Sequence, residues 1–208
     1  MVWSFLSSKE DLEVIKKEYK YIWRNNKMKR NSNTKKIVIN ALLLGIGAIL
    51  HQITPALGIP MQPDFALAML FIVMIINFGD YKTSLIAGIV TGIFTALTTK
   101  FPLGQVPNII DKIVTVNLIY ILMIFMKQFV KRGFEINNMK LSIIAIIFSL
   151  GTLISGTTFL VSAQILVGLP MNFGILFTTV VLPAVIINSI AGIFLFKIVV
   201  SSLKRIAI

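Results

Sequence analysis

TALTTKFPLGQVPNIIDK, residues 95–112, is a polar island in an apolar sequence. Three threonines, two prolines, a glycine, a glutamine, an asparagine, an aspartate and two lysines lie there between two strongly apolar runs. Irregular polar backbone beside lipid must reach the water interface, be buried in protein, or line a wet cavity. The segment therefore reads first as a connecting loop and second as a ligand site at a membrane face.

The 208-residue chain is 56% hydrophobic and 13% charged, with a mean hydropathy of +0.88. A soluble domain carries about 25% charged residues. Apolar runs of near-membrane length recur throughout, so the fold class is all-α: a polytopic membrane protein, expected as a six-helix transmembrane bundle. The alternation of a membrane barrel is absent. With no cysteine and one histidine, disulfides and multi-histidine or thiolate metal sites within one chain are excluded, and no cofactor is expected.

Outward from the polar island, six spans are expected, at about 37–54, 64–79, 83–99, 110–130, 141–166 and 174–197. The second and third are near the lower length limit of ~17–25 residues for a crossing, so they stand upright or the membrane thins. Residues 1–36 form a basic cytoplasmic tail ahead of the membrane domain, 37–208. Leu12, Ile15, Tyr19 and Ile22 recur there at helical spacing among Lys16, Lys17, Lys20 and Arg24, as in an amphipathic helix on anionic lipid. The tail reads equally as a dispensable extension upstream of a start at Met28. No cleavable signal peptide is visible.

With the N-terminus inside, the inner segments hold 18 Lys and Arg and the outer ones two, Lys100 and Lys112. The positive-inside rule then places both termini in the cytoplasm. It also accounts for the net charge of +12 as a topology signal, so no nucleic-acid partner is invoked. The outer loops, 51–64, 100–111 and 167–174, are rich in Pro, Gly and amides, as in a lid over a cavity.

Asn108 and Asp111 fit a helix start, with Asn108 as cap, as well as they fit a binding role. Lys112 in a first helical turn opposes the helix dipole and needs a partner. Asp111, next in sequence, is not expected on its helix face; Asp64 or a ligand anion would serve. Asp64 itself reads as an N-cap, and His51 and Gln52 as interfacial. Gln164 needs partners near hydrocarbon, which a cavity would supply. Thr98 and Thr99 either bond their own helix carbonyls or face the site. Phe101, Phe159 and Met61 can pack a flat ligand. Pro183 is expected to kink the sixth span, and Asn188 to bond another helix. Ala41, Gly45, Gly47 and Ala48 give the first span a smooth face, as do Gly88 with Gly92 and Gly151 with Ser155 in later spans; internal packing is the commoner use. The sequence contains no P-loop, no zinc-protease motif and no nucleophile elbow, so no enzyme is read here.

GIVTGIFTALTTKFPLGQVPNIIDK (88–112) closely resembles the bacterial tryptophan transporter TrpP family. ALLLGIGAILH (41–51), Pro63–Asp64, SGTTFLVSAQILVGLP (155–170) and VVLPA (180–184) extend the resemblance over roughly 36–205. These proteins are proposed substrate-binding components of energy-coupling factor transporters. The resemblance implies a six-helix domain in the bacterial cell membrane that takes a nutrient, here tryptophan, at the outer face. It implies a transmembrane coupling protein and two cytoplasmic ATPases as partners, which explains the missing P-loop. It also implies coupling-protein contact at Ala41, Gly45 and Ala48, where this chain departs from the usual Ala-x-x-x-Ala pattern at Gly45.

A zwitterionic amino acid needs an anion and a donor, and an indole N–H needs an acceptor. Asp111 and Lys112 supply the first two; Gln105, Asn108 or Gln164 supplies the acceptor; Phe101 and Phe159 supply walls. A stand-alone secondary carrier is the rival reading, lacking visible midplane acids or repeats. A scaffold subunit without ligand is the third.

Overall fold

The computed structural model of the protein describes residues 33–54, 64–129 and 141–206. The chain forms two units, 1–41 and 42–208, and the packing below concerns the second. The amphipathic helix expected in the tail, Met61 and the segment 130–140 lie outside the described residues, while 33–36, expected in the tail, are helical.

Six helices and no strands occur among the described residues: α1 (Asn33–Ile53), α2 (Phe65–Ile76), α3 (Tyr81–Leu97), α4 (Gln105–Phe129), α5 (Leu141–Leu166) and α6 (residues 173–206). Helices α1, α4, α5 and α6 are long and apolar enough to cross a membrane, whereas α2 and α3 are shorter. The chain is thus a membrane protein by length and composition of its helices.

Helix α2 is the exception that shapes the rest. It has 12 residues, about 18 Å against a hydrocarbon layer of ~30 Å. Every residue from Ala66 to Ile75 is buried. A helix apolar on all faces belongs inside protein rather than at its surface. Helix α2 packs on α3, α5 and α6, while α3, α4, α5 and α6 follow one another as neighbours. Asp64 caps α2, accepting the Leu67 N–H at 2.9 Å. Asn77 ends it, and Gly79, at φ +93°, makes the left-handed turn into α3. Asp80 then caps α3 through Thr83.

Helix α4 begins at Gln105, not near residue 110. Asn108 is therefore a residue of its second turn rather than its cap, and its amide donates to Gly104 O at 2.8 Å. Pro107 falls within the first turn, where a missing N–H costs no helix bond. In α6 the turn before Pro183 widens: Phe177–Val181 is π-helical, with the Leu182 N–H donating to Phe177 O. The expected disturbance at Pro183 takes this form.

Close approach is bought by small residues on internal faces. Gly88 lies under Val116 and Gly92 under Ile109, both of α4. Gly151 seats the Phe71 ring and Gly192 the Phe148 ring, and the two rings meet edge to face with centroids 5.7 Å apart. A Cβ at Gly151 would lie 2.3 Å from Phe71, whereas one at Gly45 meets nothing within 4 Å. Gly151→Val should cost about 1–3 kcal/mol or more through forced repacking, and Gly45→Ala should leave stability unchanged. Thermal melts of the two purified variants in one detergent measure this difference.

Candidate functional site

A cavity of ≈ 570 Å³ opens above the N-terminus of α2, within the ~300–1,000 Å³ typical of small-molecule sites. It exists because α2 starts deep. The Asp64 N–H donates to Asn188 Oδ1 at 2.8 Å. Asn188 stands roughly 22 Å along α6 from Phe173, so α2 begins well below the N-terminal end of α6.

The floor is charged. Lys112 of α4 is buried and points its ammonium at three oxygens: Asp111 Oδ2 at 2.6 Å, Asp64 Oδ2 at 3.2 Å and Ser155 Oγ at 3.3 Å. All three N–H positions are thereby used. Thr115 donates to the other Asp111 oxygen at 3.0 Å. Thus Asp111 and Lys112 do pair, against the expectation from their adjacency. Neighbours on a helix diverge by ~100°, but the four-carbon lysine stem folds back far enough to bring Nζ to the carboxylate. The expected Asp64 partner is present as well. Two carboxylates around one ammonium leave one uncompensated negative charge when both are ionised.

Of the two carboxylates, Asp64 is the more open: its side chain is 21% exposed against 1% for Asp111. His51 Nδ1 approaches Asp64 Oδ1 to 3.4 Å without forming a hydrogen bond.

The walls are apolar. Phe101 and Phe159 meet edge to face, with centroids 5.3 Å apart. Leu160, Met171, Leu176, Val180 and Val181 complete that side, the last two from the π turn. Gly156 lets the π turn in; a Cβ there would meet Val181 at 2.8 Å.

Among the residues expected at the site, Thr99, Phe101, Asn108, Asp111, Lys112 and Phe159 line this cavity. Thr98, Gln105 and Gln164 do not. Thr98 ends α3 and donates to Phe94 O at 2.8 Å, the local alternative. Gln105 opens α4 and is exposed. Gln164 is exposed too. The cavity face of α5 runs Thr152, Ser155, Gly156, Phe159, Leu160, and Gln164 lies about 110° round the helix from it. Its amide faces outward in the last turn, so no cavity is needed to satisfy it. Sequence reading missed Thr152, Ser155 and the π turn as site elements; it gave Asp64 a cap or Lys112-partner role, His51 an interfacial one and Asn188 a bond to another element, and the Asp64 and Asn188 contacts are present. The i, i+3, i+4, i+7 recurrence of Thr152, Ser155, Gly156 and Phe159 was the available signal.

Removing one partner from a buried ion cluster leaves charge without compensation, at a cost of about 3–5 kcal/mol. Lys112→Met should therefore lower thermal stability far more than Asp64→Asn, which keeps a good N-cap. Melting curves of the two variants, read by the loss of monodisperse protein on heating, check the ranking.

The profile of the family described as "Tryptophan transporter TrpP" matches residues 33–204. A "Probable tryptophan transport protein" of Clostridium perfringens is 50% identical over 179 residues, covering 86% of this chain and 98% of that protein. Proteins of the same description from Clostridium acetobutylicum and Bacillus subtilis are 49% and 43% identical over 172 residues, covering 83% of this chain and 95% and 94% of theirs. No solved structure matches. A match across five of the six helices in full, and nearly all of the sixth, at this level of identity settles the relationship: the chain belongs to the tryptophan transporter TrpP family.

Proposed function

We propose that this chain is the substrate-binding component of an energy-coupling factor transporter and takes up tryptophan from the extracellular side. The observation that carries the reading is the cavity itself: a floor that sets two carboxylates around one ammonium beneath apolar and aromatic walls, in a chain of this family. In this reading the substrate ammonium meets Asp64, the more accessible carboxylate. Asp111 and Lys112, committed to each other, hold Asp64 in place rather than gripping the two ends of the ligand. The indole lies against Phe101 and Phe159. Its N–H donates to Asn108 Oδ1, since Asn108 lines the cavity and its NH2 group is the part bonded to Gly104 O. Both termini lie in the cytoplasm, where the basic segments face anionic lipid.

ATP is hydrolysed by two cytoplasmic partner subunits and transmitted through a transmembrane coupling protein. The open space over Gly45 supports a docking face on α1, which the family resemblance extends to Ala41 and Ala48. A second reading draws support from one observation. A buried Asp–Lys–Asp cluster is also the kind of group that couples transport to an ion, as in a stand-alone carrier.

Titration of labelled tryptophan into the purified full chain tests binding. Uptake into vesicles only when coupling and ATPase subunits are added supports the first reading; gradient-driven uptake by the chain alone supports the second, and absence of binding overturns both. Asp64→Asn should weaken tryptophan binding by ~10- to 100-fold while preserving the helix cap. Phe159→Ala should weaken it by ~10-fold through loss of aromatic contact. Isothermal titration of both variants reads these changes.

A further inference from the structure

We propose that His51 and Thr152 form the carboxylate-binding side of this cavity, an inference that rests on the tryptophan reading above. The obvious anchor for a substrate carboxylate is Lys112, but its ammonium is spent on Asp111, Asp64 and Ser155. A carboxylate only accepts hydrogen bonds, so it needs donors from elsewhere.

Among the described residues, the buried side-chain nitrogen and oxygen atoms without a hydrogen-bond partner are His51 Nδ1 and Thr152 Oγ1. Both residues line this one cavity. Leaving such an atom unsatisfied is costly, so each is a position that a ligand atom stabilises on binding. Thr152 is only 3% exposed. A threonine inside a helix ordinarily donates to the carbonyl four residues back. Thr91 and Thr157 do so here, at 2.8 and 2.7 Å, as does Ser162 at 2.7 Å; Thr152 does not. Its hydroxyl is therefore free to turn into the cavity.

Depth assigns the two atoms to the head group rather than the ring. Thr152 lies one helical turn below Ser155, which touches Lys112. Phe159 stands about 10 Å further along α5 toward the mouth. His51 Nδ1 is at the same floor, 3.4 Å from Asp64. A carboxylate oxygen so close favours the tautomer with its proton on Nδ1, and because that approach makes no hydrogen bond to Asp64, the N–H is left to donate to a ligand carboxylate. The ammonium and carboxylate of one amino acid thus find an anion at Asp64 and donors flanking it, with the ring above.

The test compares tryptophan with tryptamine, which lacks the carboxylate, by competition against labelled tryptophan on the purified full chain. Thr152→Val and His51→Leu should each weaken tryptophan binding by roughly 10-fold and leave tryptamine unchanged. Thr152→Ser and His51→Asn, which keep a donor in place, should restore most of the loss. Equal losses for both ligands would mark a packing role, and no loss would mark atoms held by buried water; either overturns the proposal. Wild-type protein that binds tryptophan and tryptamine equally also overturns it while leaving tryptophan binding intact. Wild-type protein that binds no tryptophan removes both readings together.

Discussion

A lysine ammonium deep among apolar helices is tolerable only when its charge and all its N–H groups are met. Lys112 satisfies that condition by drawing three helices together. Asp111 comes from its own helix, Asp64 from the cap of α2 and Ser155 from α5. The cap matters most. Asp64 turns its side chain to Leu67 N–H and Lys112 while its own N–H goes to Asn188 of α6. The start of α2 is thereby tied to α4 and α6 at a fixed depth, and the space above that start becomes the cavity.

Around that tie, the packing is tight below and loose above. Below the cap, α2 is buried on every side, and glycines of α5 and α6 seat the Phe71 and Phe148 rings. Above it, the walls come from the C-terminal half of α5, the N-terminal half of α6 and the loop before α4. The π turn at Phe177–Val181 places Val180 and Val181 at the cavity, and Gly156 makes room for it. The site therefore combines a rigid charged floor with apolar walls, which suits a ligand with a zwitterionic head and a flat apolar body. In that floor the Lys112 ammonium is fully engaged by Asp111, Asp64 and Ser155.

Much of this was legible in the chain and part was not. The number of helices and their approximate bounds follow from apolar periodicity and turn residues, because these are local properties. So does the N-cap role of Asp64, which needs only a carboxylate ahead of an apolar run. Helix α4 starts about five residues earlier than expected because Pro107, in a loop rich in turn residues, is harmless in a first turn. Of the two roles open to Asn108, the structure leaves the cavity-lining one and not the cap. Gln164 was expected in a cavity because an amide near lipid needs partners, yet one residue of rotation separates it from Ala163, which lies on the buried face. Such an angle is set by how α5 packs, which no single-helix pattern fixes.

By itself the sequence determined that this is a helical membrane protein of the tryptophan transporter TrpP family with a polar segment at 95–112; the structure brings Thr99, Phe101, Asn108, Asp111 and Lys112 of that segment to the cavity. Only the tertiary structure decided which charges meet. The bonds that define the floor join residues 43, 48 and 124 positions apart. Their geometry depends on the relative depth of helix ends, and that depth is fixed by the short length of α2 and the packing around it rather than by any neighbouring residue in the chain.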